Sequence, residues 1–440
     1  MKRVLVIAYY WPPSGGSGVQ RWVKFVKYLP AQGWEPVVFA PENADYPSLD
    51  PSLGEEVPAS VEVLRGRIWE PYAIYRKLLG GKKASTQVTE ISSGKKTWKQ
   101  KLSLWIRANL FVPDPRIGWV KPSVKTLEKY LKEHPVDAIV TTGPPHSVHL
   151  IGLALKEKLG IPWIPDFRDP WSRMYYLKYL PMTQVTWKAI CEMEQEVLDK
   201  CSTVLACTPL VQEEFQAQTQ TPVACITNGY DEEDFSGPVP ERDGHFNITH
   251  TGLFAADGNP LQLWKVLGKL AVSEPGFREE LRIRLVGKVD REVQEAISAA
   301  GLEANVVSLG PLDHASAVRE QRSASILLLP LRNDPQYNPI LPGKLFEYLA
   351  ARRPILGIGQ EEGAMANVIF STRAGITVDW ENPAPMQAFL INAWKQHNAG
   401  GIPATDGEIG QYSRVATAQA LAALLDTLCH PERSEGSENR

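Results

Sequence analysis

No apolar run in this chain is long enough to span a bilayer, and the opening Met1–Ala8 stretch is too short in its apolar part for a signal peptide and lacks a small-residue cleavage site. The expected location is therefore cytoplasmic. Cysteine is scarce: the five residues Cys191, Cys201, Cys207, Cys225 and Cys429 are odd in number and show no Cys-x-x-Cys spacing. That excludes a disulfide framework and a zinc ribbon, and leaves reduced, packed thiols. An excess of positive charge is also missing. A net charge of −3 argues against a general nucleic-acid binder. No metal-ligand cluster and no paired-carboxylate motif stands out, so neither a metal nor another cofactor is expected. Acidic residues are rare from Arg65 to Arg107, where Glu70 and Glu90 face a long series of lysines and arginines.

What is present is a chain of 440 residues, 43% hydrophobic and 22% charged, more than one core usually serves. It reads as two α/β domains. Val4–Tyr9 is a near-continuous apolar run, as in a strand buried on both faces of a parallel sheet. The loop containing Gly15, Gly16, Ser17 and Gly18 follows, then a helix with Val19, Trp22, Val26 and Leu29 on one stripe, then a strand at Val37–Phe39. Strand, glycine-rich loop, helix and strand open a doubly wound domain, and such glycines let a ligand approach the backbone. The spacing is not Gly-x-Gly-x-x-Gly, which disfavours a dinucleotide-dependent dehydrogenase.

Between about 65 and 112 the α/β rhythm stops. Trp98, Leu102, Trp105 and Leu110 fall near one helical face among basic residues, a composition that suits an anionic membrane surface and equally suits a solvated insertion docked on the domain. The sheet resumes at Asp137–Thr142, which ends in Gly143-Pro-Pro-His146, and at Pro162–Pro165, which ends near Arg168 and Asp169. In a doubly wound sheet these endings open toward one crevice, making His146, Arg168 and Asp169 candidate catalytic groups. A packed His146 and a structural Arg168–Asp169 pair fit the same pattern, and His149 reads as a capping or packing residue.

After an acidic, Pro/Gly-containing linker the pattern repeats from Phe246, with Gly252 and Lys288 at strand ends. Near the end, Pro342-Gly343-Lys344-Leu-Phe-Glu347-Tyr-Leu-Ala starts a helix. Lys344 and Glu347 share one face of it, and the free N–H groups at Gly343 and Lys344 with the helix dipole would attract a phosphate. A surface ion pair has the same spacing. Expected boundaries are an N-terminal domain over 1–235, a C-terminal domain over 246–404, a last helix over 405–428 and a disordered tail over 429–440.

These motifs, in this order, resemble the GT-B glycosyltransferases, and most closely the retaining glycosyltransferase family 4, the glycosyl transferases group 1. The resemblance covers most of residues 1–428 outside the basic insertion. It implies two facing Rossmann-like domains with an interdomain cleft, and transfer of a sugar from a nucleotide-diphosphate sugar to a saccharide or lipid-linked acceptor. Surface polysaccharide synthesis, with a peripheral place on the inner membrane face, is the implied setting. It also implies that Glu347 binds the donor ribose, that Lys344 lies along the donor phosphates, and that Gly15 to Gly18 approach the diphosphate. His146 would touch the transferred sugar, and the last helix would cross back onto the first domain. Two positions depart from the family. The spacing of its paired glutamates puts the first at position 339, where this chain has Pro339, and no cation follows Gly252 until Lys265. An epimerase of the same fold and a non-catalytic nucleotide-sugar binder remain as alternatives.

Overall fold

The computed structural model describes residues 1–68, 98–174 and 177–429. The middle of the basic insertion and the polar tail from 430 lie outside them. The chain forms two compact units, one of Met1–Thr227 with the chain from Thr417, the other of Asn228–Ala416.

In the first unit the elements run β1 (Lys2–Ala8), α1 (Ser17–Tyr28), β2 (Trp34–Pro41), β3 (Glu62–Gly66), α2 (Trp98–Leu110), α3 (Ile117–Glu133), β4 (Ala138–Gly143), α4 (Ser147–Leu159), β5 (Trp163–Phe167), α5 (Gln184–Lys200), β6 (Val204–Ala206), α6 (Pro209–Gln216) and β7 (Val223–Cys225). All strands are parallel, in the order β3-β2-β1-β4-β5-β6-β7. The unbroken apolar run of β1 follows from this placement. Successive side chains point to opposite faces, so Leu5 and Ile7 join the core under α3 and α4. Val4, Val6 and Ala8 join the opposite core, under α1.

Several boundaries differ from the sequence-based expectation. The strand expected at Val37–Phe39 extends over Trp34–Pro41. The basic stretch starts later than position 65, because Glu62–Gly66 is an edge strand paired with β2. Helix α3, which the sequence did not suggest, supplies Trp119, stacked on Phe39 with ring centroids 5.3 Å apart. Pro122 inside it reads as a helix breaker, yet tertiary packing of Trp119, Leu127 and Leu131 overrides that local cost.

The second unit contains β8 (Phe246–Thr251), α7 (Leu261–Ser273), β9 (Leu281–Val286), α8 (Arg291–Ala299), β10 (Val306–Gly310), α9 (His314–Ser323), β11 (Ile326–Pro330), α10 (Gly343–Ala350), β12 (Ile355–Ile358), α11 (Ala364–Ser371), β13 (Gly375–Val378) and α12 (Pro383–Asn398). Its parallel sheet has the order β10-β9-β8-β11-β12-β13. That is the doubly wound order of the first unit over six strands, so the chain repeats one architecture. In each sheet the strand order reverses once, between β1 and β4 and between β8 and β11. The carboxyl ends of those strands are where doubly wound sheets bind ligands.

The last helix, α13 (Arg414–Cys429), places Ala418, Leu421, Ala422 and Leu425 in the core beside β1 and α1. Asp426 near its end accepts hydrogen bonds from Lys2 Nζ at 2.8 Å and Trp34 Nε1 at 3.0 Å. Cys429, expected in the tail, closes this helix, because its thiol lies 3.6 Å from the Asp137 carbonyl. All five cysteines are free thiols.

Candidate functional site

The carboxyl edge of the second sheet gathers residues from β8, β9, β11, α9 and α10 or the turns that follow them. Gly252 follows β8 with φ +97, a conformation that glycine adopts without strain. The Lys344 side chain lies across it, so that a Cβ at position 252 would sit 2.8 Å from Lys344 Nζ. Lys344 belongs to the first turn of α10, whose cap residue Pro342 offers no side-chain hydrogen bond. Of its first N–H groups, that of Leu345 donates to the Pro342 carbonyl at 2.9 Å, and those of Gly343 and Lys344 have no acceptor within the helix.

His250, on β8, is buried beneath Lys344. Its Nδ1 lies 3.1 Å from the Leu328 carbonyl, and its Nε2 lies 3.4 Å from the Leu253 carbonyl and 3.5 Å from Lys344 Nζ. Burial drives the His250 pKa down to about 3 and keeps the ring neutral. Burial also lowers Lys344 to about 8, an effect the nearby Glu347 carboxylate only partly offsets. An ammonium so poorly compensated is primed for a second anion.

One turn along α10, Glu347 is held in place. Gln321 Nε2, from fully buried Gln321 on α9, donates to Glu347 Oε2 at 2.7 Å and to Thr251 Oγ1 at 3.2 Å. Tyr348 OH accepts from the Thr251 N–H at 3.0 Å. Lys344 and Glu347 thus share a face, as their spacing suggests, and the carboxylate is oriented by groups that the sequence did not single out. Gln321 and His250 lie far from Glu347 along the chain, and no local pattern could flag them.

Gly343 opens α10, and Lys288 follows Gly287 at the end of β9 with its side chain exposed. The Lys288 carbonyl accepts from the Phe254 N–H at 2.9 Å, which ties the loop after Gly252 to the end of β9. A cation missed by sequence reading stands at the same edge. Arg332, just past β11, pairs with Asp257 at 3.0 Å and lies 5.4 Å over the Tyr337 ring.

The carboxyl edge of the first sheet is built separately. Gly16 caps α1 with φ +111 and no side-chain hydrogen bond, and Ser17 begins the helix. The loop is braced by Gly15 N–H donating to the Ser48 carbonyl at 3.0 Å. Gly18 packs directly under Arg168. A Cβ there would come within 1.3 Å of Arg168 Nη1. The guanidinium is held by the strand end beside it, with Nε donating to the Gly143 carbonyl at 2.9 Å and Nη2 to the Pro144 carbonyl at 2.7 Å. Arg168 therefore clamps backbone carbonyls, and no ion pair with Asp169 forms. Asp169 is half-buried, and burial raises its carboxyl pKa.

His146 stacks on Trp171, ring centroids 5.1 Å apart and planes 10° apart, and neither of its buried ring nitrogens has a hydrogen-bond partner. Burial holds its pKa well below the ordinary value, so the ring is neutral. His149 packs rather than caps: its ring lies 4.5 Å from Phe167 and its Nδ1 is 2.8 Å from Thr141 Oγ1. The α4 N-terminus is instead capped by Asp114, which accepts from Ser147 N–H at 2.8 Å and Ser147 Oγ at 2.9 Å. Gly18→Ala is expected to unseat Arg168 and lower the stability of the first unit by about 1.5–3 kcal/mol, the worth of a charge-assisted hydrogen bond. Chemical denaturation checks this, and an unchanged midpoint would show that the clamp is dispensable.

Among the described residues no group of three or more His, Cys, Asp or Glu side chains is placed to hold a metal ion.

No family model and no curated protein matches the sequence. Solved structures do match over nearly the whole chain. The apo form of the lipopolysaccharide outer core galactosyltransferase WaaB is 12% identical, with 98% of this chain and 99% of that one covered and a TM-score of 0.59. The α,α-trehalose 6-phosphate synthase of Burkholderia multivorans is 12% identical over 100% and 99% of the two chains, with a TM-score of 0.58. A putative UDP-N-acetylglucosamine 2-epimerase from Listeria monocytogenes is 12% identical over 99% and 98%, with a TM-score of 0.55. At such identities the likeness shows the fold, two Rossmann-like units of the GT-B type.

Proposed function

We propose that the protein is a retaining glycosyltransferase of the family 4 type, which moves a sugar from a nucleotide-diphosphate sugar to a saccharide or lipid-linked acceptor in surface polysaccharide synthesis. The observation that carries this is the Gln321-held Glu347 carboxylate one turn from Lys344, at the carboxyl edge where the second sheet reverses its order. A carboxylate fixed in this way accepts hydrogen bonds from both ribose hydroxyls. The diphosphate meets the α10 N–H groups, the Lys344 ammonium and, at the rim, Lys288 or Arg332.

In the transfer step the bond between the anomeric carbon and the diphosphate oxygen breaks. The electron pair leaves with the nucleotide, and positive charge develops on the sugar ring. The acceptor hydroxyl forms the new bond on the same face, and its proton passes to the departing phosphate oxygen. Preorganised donors on those oxygens are worth about 3 kcal/mol each in a dry site. No step is assigned to a metal. On the first unit, His146 would meet a sugar hydroxyl only after its buried ring turns out of its stack on Trp171, and Arg168 acts as a positioning residue behind the glycine loop.

Nucleotide release from a panel of nucleotide sugars, measured with mono- and disaccharide acceptors and with a polyprenyl-linked sugar, tests the reading. Release that depends on an acceptor and yields a product with the donor's anomeric configuration is expected; an inverted product would remove the retaining assignment. Interconversion of the donor sugar with no acceptor would favour an epimerase, the reading that the Listeria structure keeps alive. Donor binding with no release of nucleotide would favour a non-catalytic binder, the reading motivated by Pro339.

Lys344 makes donor affinity depend on pH. Its pKa of about 8 in the free protein means that it is charged below that pH and neutral above it. Affinity is expected to stay level up to about pH 8 and then to fall by up to about tenfold per pH unit as the cation is lost. Calorimetric titration between pH 7 and 9.5 checks the slope. In Lys344→Arg, which stays charged, the fall should vanish.

A further inference from the structure

The segment that leaves β5, Arg168 to Ser172, is pinned at both ends. At its start the Arg168 side chain grips the Gly143 and Pro144 carbonyls, and the Arg168 carbonyl accepts from the Cys207 thiol at 2.9 Å. At its far end the Trp171 and Ser172 N–H groups donate to a single carboxylate oxygen, Glu194 Oε1, at 2.9 Å and 3.1 Å. Glu194 lies on α5 and is only 4% exposed, and that helix is seated in the core by Ile190, Val197 and Leu198. Burial raises the Glu194 carboxyl pKa, and the hydrogen bonds from Ser172 and Trp171 pull it the other way. Among the described residues Glu194 forms no ion pair; Arg173, next after Ser172, pairs with Glu214 at 3.1 Å. A carboxylate buried without a cation is costly, and here it satisfies two backbone donors that would otherwise be stranded.

What Glu194 fixes in this way is Trp171. The His146 ring rests between aromatic walls from this same stretch, Trp171 at 5.1 Å and nearly parallel, and Phe167 at 6.0 Å. Phe167 is held by the ladder of β5, whereas Trp171 lies beyond the strand and owes its backbone position to Glu194. The imidazole is buried, so it meets a ligand only by turning out of this slot. How often it turns depends on how firmly Trp171 stands, because local opening is governed by the bonds that opening must break.

We propose that Glu194 is a positioning residue for His146, acting through Trp171: it fixes the wall against which the imidazole rests and so sets how readily the ring turns out toward a ligand. That the ligand is the transferred sugar rests on the proposed function; that Glu194 controls the exposure of His146 does not.

The test is labelling of the full chain with diethyl pyrocarbonate, which transfers an ethoxycarbonyl group to an accessible neutral imidazole nitrogen, read at each histidine by peptide mass spectrometry. In the wild type, exposed His134 is expected to label fast and buried His146 and His149 slowly. Glu194→Ala leaves the Trp171 and Ser172 N–H groups without their acceptor and should raise the His146 rate about tenfold or more, with His149 unchanged. Glu194→Gln keeps an acceptor oxygen and should label as the wild type does. Circular dichroism checks that each variant folds; if Glu194→Ala does not, Trp171→Phe, which narrows the wall but keeps a ring, should give the same selective rise. An unchanged His146 rate in the folded variant, a rise at His149 in step with His146, or Glu194→Gln labelling as fast as Glu194→Ala would overturn the proposal. The labelling needs neither donor nor acceptor, so a protein that transfers no sugar would count against the transferase reading alone.

Discussion

Replacing Glu347 by alanine is expected to weaken nucleotide-sugar binding by about 2–3 kcal/mol, roughly 30- to 150-fold, as hydrogen bonds to a charged acceptor in a closed site are lost. The effect should be large because Glu347 is already oriented. Gln321 Nε2 holds Oε2 at 2.7 Å and is itself fully buried, so the carboxylate has little freedom to lose when the ribose arrives. Gln321→Leu, close in size but unable to donate, should reproduce part of the loss while leaving the fold intact. Calorimetric titration separates the outcomes. An unchanged affinity in Glu347→Ala would remove Glu347 from the site, and a loss in that variant alone would show that Gln321 does not position it.

Removal of the Asp166 carboxylate is expected to have the largest effect on stability. Asp166, at the end of β5, accepts from Arg21 Nη2 at 3.1 Å, Trp22 Nε1 at 2.7 Å and Thr142 Oγ1 at 3.0 Å, and both it and Arg21 are completely buried. Arg21 also reaches the carbonyls of Ile226 at 2.8 Å and Thr227 at 2.9 Å. This network anchors α1, and with it the glycine loop, to the middle of the sheet. Asp166→Ala would leave a buried guanidinium without its counter-charge, and the cost of breaking one side of such a pair is about 3–5 kcal/mol. Chemical denaturation followed by tryptophan fluorescence should show the transition of the first unit moved far down. Donor binding by the second unit should persist in conditions where the first unit is still folded. A midpoint within error of the wild type would show that the network contributes little.

Much of the fold was legible because its strands are buried on both faces. Val4–Tyr9 and Asp137–Thr142 stand out as apolar runs bounded by turn residues, and the repeat of strand, glycine and helix after Phe246 points to a second unit of the same kind. Less legible were elements whose stability comes from packing. The edge strand Glu62–Gly66 is polar because one side of it has no neighbour, and α3 hides behind Pro122. At the candidate site, position along the chain identified Lys344 and Glu347 because one helix carries both. It could not reveal Gln321, His250 or Arg332, which the parallel crossovers bring to the same sheet edge from distant stretches. Nor could it show that Arg168 grips the Gly143 and Pro144 carbonyls in preference to its neighbour Asp169.

Pro339 and the cation-poor loop after Gly252 acquire a physical context. Asn338 gives its carbonyl to the Ala364 N–H at 2.8 Å, so the turn before α10 is tied to the start of α11, and a proline there fits a fixed backbone. The loop after Gly252 carries no cation until Lys265, but Lys344 lies across that glycine and Arg332 stands at the rim.

The most direct test of the central claim is a thermal-shift titration of the purified protein against uridine, guanosine, adenosine and thymidine diphosphate sugars, run beside Lys344→Ala. A ligand that binds only the folded state raises its midpoint in proportion to the logarithm of its concentration. The donor seat described for the second unit predicts a clear rise with one nucleotide family and a much smaller one in the variant. No rise with any nucleotide sugar in a well-folded sample, or an equal rise in Lys344→Ala, would contradict it.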